Sequence, residues 1–193
     1  MSSKFKEVVI VCGIRTPIGT YKGSLKKMRS DQLGSIVIKE VLKKSKFSED
    51  EIDEVIMGQV LTTAAGQNPA RQAAVNAGIP VSKPAHIINQ VCGSGLRAVI
   101  SGYQAIKLGE SLNVICGGQE NMSIAPHSIF YREEKKISEN KLLDTMKHDG
   151  LIDAFNNYHM GVTAENIAKK FDISRQEQDE FALNSQKKNR KSF

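Results

Sequence analysis

One segment constrains this 193-residue chain more than any other: AHIINQVCGSGLRAVISGYQAIKLG, residues 85–109. Its first part, Ala85 to Val91, is apolar without a helical period and reads as a strand buried on both faces. It passes without a spacer into a helix expected from about Gly93 to Leu108, closed by Gly109. Leu96, Val99, Ile100, Tyr103, Ile106 and Leu108 spread round most of that helix, and a helix apolar all round is buried on all sides. A buried strand joined directly to a buried helix demands a layered α/β fold with further structure covering both. At the joint stand Cys92, Gly93 and Gly95.

The rest of the chain fits that demand. Strands are expected at Glu7 to Cys12, Val55 to Val60 and Leu112 to Cys116. Between them, a helix opening at Asp31 places Leu33, Ile36, Val37, Val41 and Leu42 on one side. Ser48 with Glu51 forms a capping box for a short turn. Asn68-Pro69 starts a helix that stops at Gly78. Strands separated by helices imply parallel βαβ units. After Gly118 the texture changes to polar, weakly periodic sequence with a charge run from Arg132 to Lys136, as expected of an inserted excursion. Two helices close the chain, one near Thr163 and one behind a second capping box, Ser174 with Glu177. The organisation expected is a βαβ core over residues 1–118 and part of an excursion over 119–193. The last helix ends without a glycine cap or a returning strand, so the chain is expected to be truncated.

Composition excludes several classes. No apolar run reaches the ~20 residues of a membrane span, and the short run behind the N-terminal lysines lacks a cleavage site, so a cytoplasmic location is expected. Cys12, Cys92 and Cys116 form no CxxC pair and have no histidine at metal spacing, which supports neither a disulfide framework nor a metal site. Cys12 and Cys116 lie in apolar runs and read as buried small hydrophobes. The net charge of +6 permits an anionic ligand such as a nucleotide or coenzyme A, and a lysine-rich solvated surface accounts for it as well. No aromatic-interleaved basic stripe points to nucleic acid.

Cys92 differs from the other two. At a strand-to-helix turn the first helical N–H groups lack partners, and the helix dipole favours thiolate over thiol. Gly93 and Gly95 clear space for a thioester and let backbone N–H groups face its developing oxyanion. The same device carries the nucleophile of α/β-hydrolases. A C-G-x-G turn by itself fits a buried structural cysteine at least as well.

The longer context resembles one family. NQVCGSGLRAV is similar to the active-site block of thiolases, the acetyl-CoA acetyltransferases and 3-ketoacyl-CoA thiolases. RTPIG from Arg15, GQNPARQAAVNAGIP from Gly66, CGGQENMSIAPH from Cys116, DGLIDAFNNYHMGVTAENIA from Asp149 and ISRQEQDEFALNSQ from Ile173 follow the family's order. The resemblance implies a thiolase-like α/β fold, here one half of a duplicated five-layer α-β-α-β-α arrangement with part of the inserted loop domain. It implies that Cys92 accepts an acyl group from an acyl-CoA, with the Cys92 backbone N–H in an oxyanion hole. Leu151 and His159 would line the pantetheine path and Met160 the acyl pocket. Acyl-CoA would be the substrate and not a resident cofactor, and the full-length form would be a homodimer or tetramer. The loop DGLIDAFNNYHMG is most similar to the short-chain biosynthetic type, which joins two acetyl-CoA into acetoacetyl-CoA. The family's Gly-His-Pro, Cys-x-Gly-Gly-Gly and Asn-Glu-Ala-Phe segments do not occur, so this chain alone is expected to be inactive. Two readings stay beside it: a non-catalytic fragment of thiolase descent and a longer-chain 3-ketoacyl-CoA thiolase. A ketoacyl-synthase-like condensing enzyme is disfavoured by C-G-S-G-L-R together with YHMG.

Overall fold

The computed structural model describes residues 7–132 and 142–190, in two compact units, residues 1–150 and 151–193. The first unit holds a parallel sheet of β1 (Glu54–Gly58), β2 (Ala85–Ile88) and β3 (Val114–Gly118) in the order β2-β1-β3. Its register sets Val55 beside Ala85 and Ile115, and Gly58 beside Ile88 and Gly118. Successive side chains leave a strand on opposite faces, so Val55 and Met57 face one way and Ile56 and Gly58 the other. The first face packs on α1 (Ser30–Ser45) and α2 (Pro69–Ala77) through buried Ile38, Leu42, Ala70, Ala73 and Ala77. Ile38, wholly buried, contributes on the order of 2–3 kcal/mol there. The second face carries α3 (Ser94–Leu108), whose buried residues are all small: Ser94, Ala98, Gly102 and Ala105. Crossovers of one hand require this split, because β2 and β3 flank β1 on opposite sides.

Local chemistry sets the helix ends. Arg29 grips the buried Asp31 carboxylate with two bonds of 2.8 and 2.7 Å at the start of α1, and this grip holds the Asp31 carboxyl below the usual carboxylate range. Asn68 Oδ1 accepts from the Arg71 N–H at 3.2 Å ahead of Pro69, while its Nδ2 donates to the Ala85 carbonyl at 2.8 Å. The start of α2 is thereby tied to β2. Gly78, at φ 103°, closes the helix in the left-handed region.

The expected strand from Glu7 to Cys12 does not form. The segment carries no ladder, and Ile10 is 82% exposed. A cavity of about 730 Å³, lined by Val8–Cys12 on one side and Val114–Cys116 on another, separates it from β3. Strand preference reflects a fit to paired neighbours, and without a ladder the apolar run stays irregular. For the same reason Cys12 is half-buried and not buried. Cys116 is half-buried as well, facing α3 beside that cavity. The other strands are displaced by a few residues. β1 stops at Gly58 because the Val60 and Leu61 N–H groups turn to the Glu120 carboxylate. β3 starts at Val114 because Asp53 Oδ2 takes the Leu112 and Asn113 N–H groups at 2.7 and 3.0 Å.

Residues 119–150 add a 3-10 turn at Met122–Ile124, a small antiparallel pair of β4 (His127–Ser128) and β5 (Leu143–Asp144), and α4 (Thr145–Gly150). Of the expected charge run, residues 133–136 lie outside the described residues. The second unit contains α5 (Met160–Lys170), which opens three residues before the expected Thr163, and α6 (Arg175–Arg190). Ser174 and Glu177 form the anticipated box, with the Ser174 N–H and hydroxyl both on Glu177 Oε2, at 2.7 and 2.8 Å. Among the described residues no helix is long and apolar enough to cross a membrane.

Candidate active site

Cys92 is exposed, between the end of β2 and the start of α3. The chain reverses there through Asn89–Gly93, and the backbone groups of Gln90, Val91 and Gly93 are all committed. Gly93 N–H donates to the Gln90 carbonyl at 3.0 Å and Ser94 N–H to the Val91 carbonyl at 3.1 Å. Asn89 Oδ1 accepts the Val91 N–H at 2.9 Å, and Asn89 Nδ2 reaches the Val60 carbonyl at 3.4 Å. The Ser94 hydroxyl donates to the Val91 carbonyl at 2.6 Å and accepts from the Gln90 N–H at 2.8 Å. Val91 is held at φ 48°, a left-handed conformation that a β-branched residue avoids, at a cost of order 1–3 kcal/mol.

Beneath the turn, main chain meets main chain. A Cβ placed on Gly58 would lie 2.5 Å from the Gly95 nitrogen and 2.6 Å from the Ser94 oxygen. One on Gly118 would lie 3.4 Å from the Gly95 Cα. The first turn of α3 therefore sits directly on the C-terminal ends of β1 and β3. Open α/β sheets place their sites at that end.

Two polar groups brace these strand ends from below. Glu120 accepts the Val60 N–H at 2.8 Å, and burial pushes its carboxyl above the usual range against the pull of those N–H groups. Gln119, buried, donates through Nε2 to Gln59 Oε1 at 2.9 Å, and Gln59 Nε2 donates to the Leu61 carbonyl at 2.7 Å. The 730 Å³ cavity is lined by no residue from 58 to 98. It belongs to the irregular N-terminal segment and not to Cys92.

The other expected site residues fall in the second unit. Met160 N–H donates to the Leu151 carbonyl at 2.8 Å, and Ile152 and His159 form an antiparallel bridge. Leu151, His159 and Met160 are thus neighbours across the base of one closed loop. His159 Nδ1 accepts the Gly161 N–H at 3.0 Å and caps α5. In the neutral ring this places the proton on Nε2, so that nitrogen is a donor. Cys92 and this trio lie in different units.

Asn89 and Ser94 lie within NQVCGSGLRAV and Glu120 within CGGQENMSIAPH, but the motifs by themselves give none of these residues, nor Gly58, a role. The physical signs are a serine three residues after Val91, within reach for back-bonding, and a glycine at a strand end, which marks close backbone approach.

A parallel α/β core that presents a cysteine on a glycine-seated strand-to-helix turn belongs to the class of α/β folds that place their sites at the C-terminal ends of their strands. The chain belongs to the thiolase family: the family description "Thiolase, N-terminal domain" matches residues 8–193. It is 51% identical to the acetyl-CoA acetyltransferase of Paracoccus denitrificans over 94% of this chain and 46% of that protein. It is 52% identical to the acetyl-CoA acetyltransferase of Cupriavidus necator over 94% of this chain and 47% of that protein. With the cytosolic acetyl-CoA acetyltransferase of Rattus norvegicus the identity is 50%, over 96% and 47%. The chain spans about half the length of the curated relatives it matches.

Proposed function

We propose that this chain supplies the nucleophile half of an acetyl-CoA acetyltransferase. The observation that carries the reading is Cys92, exposed on a braced turn at the sheet's C-terminal end. In the first step the Cys92 sulfur attacks the carbonyl carbon of acetyl-CoA. The carbon–sulfur bond to coenzyme A breaks, coenzyme A leaves with the proton that the Cys92 thiol gave up, and an acyl-Cys92 thioester remains. A second acetyl-CoA, deprotonated at its α-carbon, then attacks that thioester. A carbon–carbon bond forms, the Cys92 thiol is regenerated and acetoacetyl-CoA departs. The reverse is thiolysis.

The Cys92 backbone N–H is assigned to the oxyanion, since the N–H groups of Gly93 and Ser94 are already bonded within the turn. Gly95 keeps the approach clear. Leu151 and His159, the latter with Nε2–H available as a donor, are assigned to the pantetheine, and Met160 to the acyl group. The base for the thiol and the acid/base for the second step are assigned to a second, duplicated half that completes five layers and a cytoplasmic homo-oligomer. A longer-chain 3-ketoacyl-CoA thiolase is the alternative at the acyl pocket.

The test uses this chain and its Cys92→Ala variant, with acetoacetyl-CoA and coenzyme A for turnover and, separately, with acetyl-CoA for labelling. No turnover above the variant is expected, and acetyl-CoA is expected to label the chain slowly, at the Cys92 peptide alone. Thiolysis at the rate of a full-length thiolase would overturn the half-site reading. Equal labelling of the Cys92→Ala chain would overturn the nucleophile.

A further inference from the structure

We propose that Ser94 is a positioning residue for Cys92: its hydroxyl holds Val91 in the left-handed region, and that conformation presents the next residue's sulfur to solvent. The inference rests on the reading of Cys92 as the nucleophile. A β-branched residue at φ 48° returns to negative φ unless its surroundings over-determine it. Ser94 is placed to do this. Its Oγ bridges the Gln90 N–H at 2.8 Å and the Val91 carbonyl at 2.6 Å, the two ends of the dipeptide that must stay folded back. Asn89 Oδ1 takes the remaining N–H, that of Val91, at 2.9 Å.

An ordinary helix-capping serine does not explain the contact. The N-cap position is Gly93, with no side-chain cap, and Ser94 is the first helical residue. Its hydroxyl points back to residues 90 and 91 instead of forward to the N–H groups of α3. Ser94 is itself buried, 4% exposed, with its backbone against Gly58. A mechanical line therefore runs from the ends of β1 and β3 through Ser94 to Val91 and on to Cys92.

The experiment measures carbamidomethylation of the 193-residue chain by iodoacetamide, followed peptide by peptide by mass spectrometry. Cys116, half-buried against α3, is the internal control for loss of fold. Ser94→Ala is expected to slow Cys92 about tenfold, the scale of losing one buried hydrogen bond that biases the turn, with Cys116 unchanged. Ser94→Ala combined with Val91→Asn is expected to return to within about twofold of the native rate, because asparagine tolerates the left-handed region. A native Cys92 rate in Ser94→Ala overturns the proposal. So does a double variant that stays slow, since a merely structural serine would not be rescued by a change of backbone preference at residue 91. If Ser94→Ala exposes Cys116 as unfolding in urea does, the double variant decides: native protection of Cys116 with a native Cys92 rate supports the proposal, and any other result overturns it. Iodoacetamide needs no coenzyme A, so these outcomes stand apart from acetyl labelling, whose failure would overturn the acyltransfer reading alone.

Discussion

Gly58→Ala is the most direct test of how α3 is seated. Gly58 lies in β1 with no left-handed φ, so alanine suits its backbone. That change alone stabilises by about 0.4–1 kcal/mol through the unfolded chain. Against it stands the new Cβ, 2.5 Å from the Gly95 nitrogen where ordinary contact begins at 3.4 Å. The opposing atoms are main chain of the first helical turn, the Ser94 carbonyl carbon nearest of all, and main chain has no rotamer to change, so α3 must retreat by about 1 Å. Forced shifts of this kind cost typically 1–3 kcal/mol, and backbone-to-backbone crowding places this one at the upper end. The net expectation is a loss of about 2 kcal/mol. In urea denaturation followed by far-ultraviolet circular dichroism, a slope of about 2 kcal/mol per molar converts this to a midpoint lower by about 1 M. A midpoint within about 0.2 M of the native chain would refute the claim that helix and strand meet there without slack.

Two further expectations concern the other end of the same seam. A Cβ on Gly102 would meet the Cys116 sulfur and stand 3.3 Å from Val114 Cγ1; Gly102→Ala should destabilise by roughly 1–3 kcal/mol, and Cys116→Ala in the same chain should recover most of it. Additive losses in a double-mutant cycle would refute the contact. Burial, with the negative charge of Glu54 adding to it, pushes the Cys116 thiol up to about 11 from an ordinary 9.0. Between those values the unfolded chain releases a proton that the folded chain keeps, so this contribution is whole below pH 9.0 and fades as pH rises towards about 11. Melting temperatures of the native chain should fall more steeply over that range than those of Cys116→Ala, and parallel slopes would contradict the assignment.

The path of the chain between Asp31 and Gly118 was legible because each boundary there is local. Asn68-Pro69, Gly78 and Gly109 mark helix ends by backbone chemistry that a sequence displays directly. The strand at Glu7 to Cys12 was misjudged because an apolar run states a preference and not a partner. Whether it joins a sheet depends on β3, about a hundred residues away. The exposed turn at Cys92 was legible for the opposite reason, since Cys92 with Gly93 and Gly95 is a contiguous string. Its supports were not. Val91 gives no sign in sequence that its φ is positive, and the link between Gly58 and Ser94 spans a whole βαβ crossover. His159 shows a mixed case: its place in the loop followed from the motif, whereas its role as the cap of α5 appears only once Gly161 N–H is seen to point at Nδ1.

One property of α3 ties the turn at Cys92 to the outer face of the helix. The buried stripe Ser94, Ala98, Gly102 and Ala105 contains no side chain larger than a serine, so the helix is located on the sheet by backbone contact and not by interlocking large residues. A helix seated in this way turns its large side chains outward, as Leu96, 69% exposed, and Leu108, 74% exposed, show with Ile100 and Tyr103 between them. Rotation about the helix axis is then set by the same glycine contacts that place Ser94 under Val91. On the proposed five-layer arrangement, the second sheet would bear on that outer face. A variant that shifts α3 at Gly58 would disturb two things together, the aim of Cys92 and the register of the covering layer, whereas Ser94→Ala acts on the turn and leaves the outer face where it was. In a complete enzyme the first should therefore weaken assembly and turnover together, and the second turnover alone.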